Sequence, residues 1–446
     1  MSRTLVRMIG VLMALLLVAA ACGGDDEGGG GDDGGDGGEP AEDIDYEAIG
    51  LWDDGPCDET ADPLHVGLTT TFETSAISLV DQALALEAAA EGFNARGGAN
   101  GSCIEVTTCD DGGTLDKAVA CAATMEDEGV VATINDQLTA GQAEYMAPMA
   151  AAGIPRVAGN PTPSDWGDPN LYPLDASGTG VTVLLPQALI DSDVNEIGVI
   201  RVESAAAIIG ILEGIYAGEA TFPYDAAVPG GTTDYTQFIV GAQNEGVGGV
   251  TLALGEQEAV QVTRAAQQLD TDLLIGSSLG TFPHTSVTEL GDFAGQMAFL
   301  GSYPPATADL PVYDALRADM EASGEEALQT ENLKSSPMRS WIGLYALLYM
   351  MRQAEMTEFT GPGITAMLQE AQDVPMLDMF GGEDWTPNVD HPGLFKRAGI
   401  NTWTTYRWDA EEEAPNGLEG NWVEQSTLSW DEVVCGSIFG APAEEC

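Results

Sequence analysis

Basic side chains are scarce in this chain. Its 446 residues hold 14 Lys and Arg against 72 Asp and Glu, a formal net charge of −58, and only three His. Nucleic acid binding needs Lys and Arg to displace counterions from phosphates, and an anionic lipid surface needs them for the same reason, so both are poor partners. Such acidity fits a soluble surface protein or one adapted to salt; it carries no information about fold. No Cys-x-x-Cys pair occurs, and His65, His284 and His391 are far apart in sequence, so a Cys/His zinc site has no sequence support. Apolar runs are few as well. Met8 to Val18 and Trp341 to Met351 are each shorter than the roughly 20 residues of a membrane span, and the second is followed by Arg352, so a buried helix is expected there.

What is present begins at the N-terminus. Arg3 and Arg7 precede the Met8 to Val18 run, and Ala19, Ala20 and Ala21 lead into Cys22. This order of a charged stretch, an apolar stretch and small residues is that of a secretory signal. The segment resembles the bacterial lipoprotein signal, with Ala19 where that signal prefers Leu. The resemblance implies removal of residues 1–21, lipid attachment at Cys22, and an extracytoplasmic location on the outer face of the membrane. Gly23 to Gly50 is almost entirely Gly, Asp and Glu with no Lys or Arg. Residues 22–61 therefore read as an acidic tether with too little apolar surface to order itself. Its Asp-Gly repeats lack the spaced apolar residue of a calcium-binding solenoid.

Apart from Cys22, six cysteines remain: Cys57, Cys103, Cys109, Cys121, Cys435 and Cys446. An even set suits an oxidising compartment, and six cysteines allow 15 pairings. Proximity favours Cys109 with Cys121 and Cys435 with Cys446, which leaves Cys57 for Cys103; residues 435–446 then form a C-terminal disulfide tail.

Between the tether and the tail, strand and helix signals alternate. Leu64–Leu68 reads as a strand, Ser75–Phe93 as a helix with Ile77, Val80, Leu84 and Ala88 at helical spacing, and Ile104–Thr108 as a strand. The pattern continues with helix Leu115–Glu128, strand Val130–Ile134, helix Ala140–Ala152 and strand Pro155–Ala158. A second series starts near Val181. Its strands are Glu196–Arg201, Gly248–Leu254 and Asp272–Ile275; its helices are Ala205–Tyr216, Tyr235–Glu245 and Glu258–Gln268. Repeated β-α units predict an α/β protein with doubly wound sheets, and the length predicts two lobes.

Several segments carry a family resemblance. Asn94-Ala95-Arg96-Gly97-Gly98-Ala99-Asn100-Gly101 before a strand, Cys109-Asp110-Asp111-Gly112 before an Ala-rich helix, Ala152-Gly153-Ile154-Pro155, Thr232-Thr233-Asp234-Tyr235, and the late apolar helix Trp341–Met351 occur in order. Over about residues 62–410 this series resembles the branched-chain amino acid type of periplasmic solute-binding protein from ABC transporters. The resemblance implies two Rossmann-like lobes joined by three crossovers, with lobe one at 62–173 and 301–399 and lobe two at 174–300 and 400–434. It also implies a solute cleft closed by hinge motion, an ABC permease as membrane partner, no cofactor and no catalysis. Two steps depart from the family: Val202-Glu203-Ser204-Ala205 stands where relatives have Tyr-Gly, and Asn135-Asp136 where they have Gly-Pro.

A cleft for a zwitterion needs donors for a carboxylate, which helix N-termini supply without basic side chains, and an acceptor for an ammonium. Segment matching implies Thr139 and Thr162 as hydroxyls for the carboxylate. It implies Glu258 as the acid for the ammonium, with Glu256 beside it. Trp166 and Tyr172 are aromatic surface at the first-lobe edge. Each has an ordinary structural reading too: helix cap, turn residue, dipole-complementing acid or core cover. The solute class so implied is an amino acid or a related amide or organic acid. A sensor module with the same fold is the alternative. An enzyme is the less favoured one, since the cysteines are committed to disulfides and His284 sits in the loop-like Phe282-Pro283-His284-Thr285.

Overall fold

The computed structural model describes residues 44–435 and 437, apart from 75–76, 162–164 and 391–396. The expected signal and lipid site Cys22, Thr162, His391 and Cys446 lie outside the described residues.

The first sheet is parallel and follows the predicted alternation. Strand β1 (Leu64–Thr70) lies inside the sheet and is buried on both faces, with Leu64, Val66 and Leu68 fully buried, as in a parallel strand covered by helices. Helix α1 (Val80–Ala95), β2 (Ile104–Asp110), α2 (Leu115–Asp127), β3 (Ala132–Ile134), α3 (Gln142–Ala152), β4 (Arg156–Val157) and β5 (Leu171–Tyr172) complete it in the order β2-β1-β3-β4-β5. Helix α1 starts at Val80 and not at Ser75. The Thr74 amide bonds to the Ile77 carbonyl at 2.8 Å and the Leu79 amide to the Thr71 carbonyl at 3.1 Å, so the chain turns back on the strand end first.

Helix α4 (Ser177–Ile190) opens the second lobe. It is followed by β6 (Glu196–Val202), α5 (Ile208–Ile215), β7 (Thr221–Val228), α6 (Thr236–Glu245), β8 (Gly249–Ala253), α7 (Glu256–Gln268), β9 (Leu274–Ser278), α8 (His284–Thr288) and β10 (Met297–Gly301). The predicted helix Ala205–Tyr216 is shorter because residues 203–205 form a 3-10 turn before α5. The chain then returns to the first lobe as α9 (Pro311–Ala322), α10 (Ser335–Gln353) and α11 (Gly361–Glu370), and comes back as the long hairpin β11 (Thr402–Glu413) and β12 (Glu419–Ser429) with α12 (Trp430–Val434). The hairpin adds antiparallel strands to one edge, giving the order β12-β11-β10-β9-β8-β6-β7.

Helix α10 is the apolar Trp341 segment, buried over most of its circumference in the first-lobe core with Phe93, Leu64 and Val66. Gly343 lets it lie against the sheet: a Cβ there would stand 2.6 Å from Ala158 Cβ. Asp319 on α9 holds this core together. It takes a bidentate ion pair from Arg96 at 2.7 and 2.6 Å and a hydrogen bond from Trp341 Nε1 at 2.7 Å.

Three crossovers join the lobes. Asp175, in the first, accepts from Arg339 of α10 at 2.6 and 2.8 Å and from Ser302 of the second. The third is tied in by the Ile400 amide, which donates to the Leu174 carbonyl at 2.6 Å.

One boundary is corrected. Residues 44–61, assigned to the tether by composition, are folded onto lobe one: Leu51 and Trp52 are buried, Trp52 stacks on Phe93 at 5.5 Å, and Cys57 is bonded to Cys103. Two apolar side chains and a cross-link are enough to order a segment whose average composition is that of a linker. The second bridge joins Cys109 to Cys121, and Cys435 is also disulfide-bonded.

Candidate functional site

In open parallel sheets the crevice outside the carboxyl ends of the strands is the natural binding place. Those ends of the two lobes meet here. Lys334, at the start of α10, lies 2.5 Å from Asp81 at the start of α1, which follows β1, and 2.8 Å from Glu256 at the start of α7, which follows β8.

The first-lobe wall is polar and buried. Thr71, just past β1, donates to Asp111 Oδ1 at 2.6 Å and lies 2.9 Å from the exposed Thr139 hydroxyl, so Thr139 is one end of a Thr139, Thr71, Asp111 chain. The Gly113 amide also serves Asp111 Oδ1, at 2.9 Å, whereas Asp111 Oδ2 is buried without a donor. Gln82 reaches Gln137 at 2.6 Å and also Ser336.

The Asn135-Asp136 departure proves to be a structural hub. Asp136 accepts from the Thr69 amide at 2.8 Å, the Thr133 hydroxyl at 2.6 Å and the Tyr145 hydroxyl at 3.0 Å, which pins the ends of β1 and β3 to α3. Asn135 takes the left-handed conformation (φ 59°), which Asn tolerates better than most residues. It donates to Ser340 at 2.9 Å and accepts from Asn160 at 2.7 Å, and Asn160 in turn accepts from Ser177 of the second lobe at 2.5 Å.

The 159–172 edge is held from beneath. Fully buried Arg156 lies 3.4 Å from Asp136, 3.3 Å from Asp165 and 3.5 Å from Asp168, three carboxylates around one guanidinium. This fixes the 3-10 turn Asp165–Gly167 that carries Trp166. Trp166 is 8% exposed and belongs to the apolar cluster with Val181, Leu185 and Trp403, so it roofs the second-lobe core from a first-lobe loop. Tyr172 on β5 is entirely buried in the first-lobe core and offers no ring to the cleft edge.

On the second lobe Glu258 occupies the first turn of α7, which begins two residues earlier than predicted. The Gly255 amide donates to its carboxylate, half of a capping box, yet burial outweighs that bond and pushes the carboxyl above its ordinary value. Its Oε2 is buried without a donor, and Tyr235 lies close enough to feel its charge. Glu258 and Thr139 thus stand on opposite lobes. Thr71 lies on the Thr69–Glu73 edge that follows the first strand; the polar residues that sequence reasoning missed are Asp81, Asp111 and Lys334, of which Asp110-Asp111 before a helix is the signal for one, and nothing local marks Lys334.

Two other features bear on chemistry. Gly276-Ser277-Ser278-Leu279-Gly280 carries the Gly-x-Ser-x-Gly spacing of a nucleophile elbow. Ser278 instead caps the following turn by accepting from the Gly280 amide at 3.1 Å. The nearest histidine in sequence, His284, is no loop residue: it is buried between Trp408 and Trp422, 3.0 Å from the Gly420 carbonyl. A groove of about 420 Å³ lined by Ser192, Arg407 and Ser426 lies at the amino end of β10, away from the cleft edge. Among the described residues no group of His, Cys, Asp and Glu could hold a metal ion, and no helix is long and apolar enough to cross a membrane.

A periplasmic binding protein family profile matches residues 63–412. Among solved structures, a substrate-binding periplasmic protein from Ralstonia solanacearum is 19% identical, covering 81% of this chain and 100% of its own, with a TM-score of 0.64. A fatty acid ABC transporter substrate-binding protein from Thermomonospora curvata is 16% identical, covering 85% and 95%, at 0.67. The isoleucine complex of a branched-chain amino acid transporter substrate-binding protein from Streptococcus pneumoniae is 14% identical, covering 82% and 100%, at 0.62. At these identities the likeness is one of fold, and among curated proteins none matches the chain. With two α/β lobes, three crossovers and a profile match over most of its length, the chain belongs to the periplasmic binding protein family.

Proposed function

We propose that this protein is the extracytoplasmic solute-binding component of an ABC importer, anchored through lipid on Cys22. It captures a small polar solute bearing an ammonium or amide N–H, an amino acid or a close relative, by closing its lobes. The observation that carries the solute class is a set of acceptors without donors. Asp81 Oδ1 and Asp111 Oδ2 on lobe one and Glu258 Oε2 on lobe two are all buried and unpaired. A buried acceptor left unmade costs about 1–3 kcal/mol, so a donor-rich solute gains there what water-exposed carboxylates would not offer. Glu258 takes the ammonium, and the Thr139 hydroxyl with Thr162 addresses the carboxylate. Trp166 closes the edge from the first-lobe side. The binding is non-covalent, and delivery is to a permease in the membrane.

The test is a thermal-shift screen of the chain lacking residues 1–22 against amino acids, amides, polyamines, sugars and carboxylates, followed by calorimetry. A solute at 100 times its Kd stabilises by about 2.7 kcal/mol, a readily measured rise in melting temperature. A neutral amino acid hit that is lost in Glu258→Gln supports the assignment; hits confined to solutes without N–H donors refute it.

A further inference from the structure

The loop between α9 and α10 is rooted in one lobe and gripped by the other. Leu328 and Leu333 bury it in the first-lobe core. From there it reaches the second lobe at three points. The Thr285 amide donates to the Glu331 carbonyl at 3.0 Å, the Thr285 hydroxyl donates to Asn332 Oδ1 at 2.9 Å, and Lys334 Nζ lies 2.8 Å from Glu256 Oε2. Gly280 allows the approach, since a Cβ on it would meet Ser335 Cβ at 3.3 Å.

Lys334 is the one ion in this set that pairs with both lobes. Its ammonium is largely buried and is held by Asp81 on the same lobe at 2.5 Å. Those two carboxylates push its pKa up against the desolvation that would lower it, so it stays charged. The place matters as much as the pair. The lobes are hinged where Asp175, Ser302 and Ile400 meet, next to β5 and β10. Glu256 follows β8, which β9 separates from β10, and Asp81 follows β1, which β3 and β4 separate from β5. Rotation about the crossovers moves such distant points apart and breaks Lys334–Glu256 while Lys334–Asp81 travels intact with lobe one.

We propose that the α9–α10 loop is an interlobe latch, with Lys334 as the positioning residue that clamps Glu256 and holds the lobes closed. The inference rests on the reading of the protein as a hinge-closing binder, and it gives that closure a built-in bias independent of the solute. Because affinity scales with the fraction of protein in the competent form, loosening the latch weakens every solute alike.

Small-angle scattering of the solute-free protein tests this without knowing the solute. Glu256→Gln and Lys334→Gln should each raise the radius of gyration and shift the pair-distance distribution to longer vectors. Arg264→Gln, which removes the exposed Arg264–Glu289 pair inside lobe two, should leave both unchanged. If Lys334→Gln fails to fold, Glu256→Gln decides alone, because its side chain is on the partly exposed side of the pair. Scattering curves of Glu256→Gln and wild type that superpose overturn the latch, as does a wild-type curve that already requires separated lobes. A screen without hits would instead strike at the solute assignment and leave this result standing.

Discussion

Replacing Glu258 by Gln should stabilise the solute-free protein at neutral pH. Two effects oppose each other at this position. A carboxylate in the first turn of a helix gains about 0.3–1 kcal/mol from the helix dipole. Burial of Oε2 without a donor works against the charge, and the raised pKa of Glu258 says that burial prevails. Gln keeps the bond from the Gly255 amide, since Glu and Gln serve equally at that place in a capping box, so the substitution isolates the charge. The residue is part-exposed, which puts the gain well below the 1–3 kcal/mol of a fully buried unpaired group, at about 0.5 kcal/mol. The sign with pH follows from the raised value. The native state binds the proton more tightly than the unfolded chain, so the wild type has its full stability from this group below the ordinary carboxyl pKa and loses it as pH rises through the folded one. The Gln variant should therefore melt about 1 °C above wild type at pH 7 and level with it near pH 4, measured by differential scanning fluorimetry in matched ionic strength. Glu258→Ala, which also loses the cap, should fall below Glu258→Gln by about 0.5–1 kcal/mol. A Gln variant less stable than wild type at pH 7, with the same gap at pH 4, would refute the reasoning and leave Glu258 as a helix cap alone.

The other predictions concern stability. His284 is held below its ordinary pKa by burial, so below about pH 6.5 the unfolded chain takes up a proton that the native state resists; wild type should lose stability between pH 7 and 5.5 faster than His284→Gln, and parallel slopes would count against it. The Cys109–Cys121 bridge closes a sequence separation of 12 and Cys57–Cys103 one of 46, so removing the first pair should cost about 3 kcal/mol and the second about 4, read from denaturant midpoints. Gly343→Ala gains up to about 1 kcal/mol of helix propensity but places a methyl 2.6 Å from Ala158 Cβ and 3.0 Å from Ile134 Cγ2; overpacking of about 1–3 kcal/mol should win, and a raised melting temperature would show that the helix can shift away.

The parallel portions of the fold were legible because their signals are local. Leu64–Thr70 and Glu196–Val202 are short apolar runs ahead of helix-spaced segments, and their boundaries moved by only one or two residues. The β11–β12 hairpin was not read as strands. Its stretch Trp403-Thr404-Thr405-Tyr406-Arg407-Trp408 mixes aromatics, hydroxyls and a base, because one side packs into the lobe and the other carries Arg407, and the acidic run that ends β11 resembles a loop. Residues 44–61 were misread for the opposite reason: their order comes from Leu51, Trp52 and Cys57 reaching partners far along the chain. The site divides the same way. That Glu258 and Thr139 follow strands is readable from position, whereas Lys334 precedes a helix in the returning segment, and only the folded chain brings it between Asp81 and Glu256.

The folded segment ahead of β1 also governs how the molecule responds to force. A pull on residue 44 would first peel away Leu51 and Trp52 and then run into the covalent bond between Cys57 and Cys103. The 14 residues from 44 to 57 span at most about 45 Å when extended, so that is the slack available before the load reaches the disulfide. Beyond it the tension enters at the start of β2, on the outer edge of the first sheet, and passes along lobe one. Lobe two, whose covalent links to lobe one are the crossovers, lies off the path of that load. A molecule held by its leading end could be tugged or sheared while its second lobe remained free to swing.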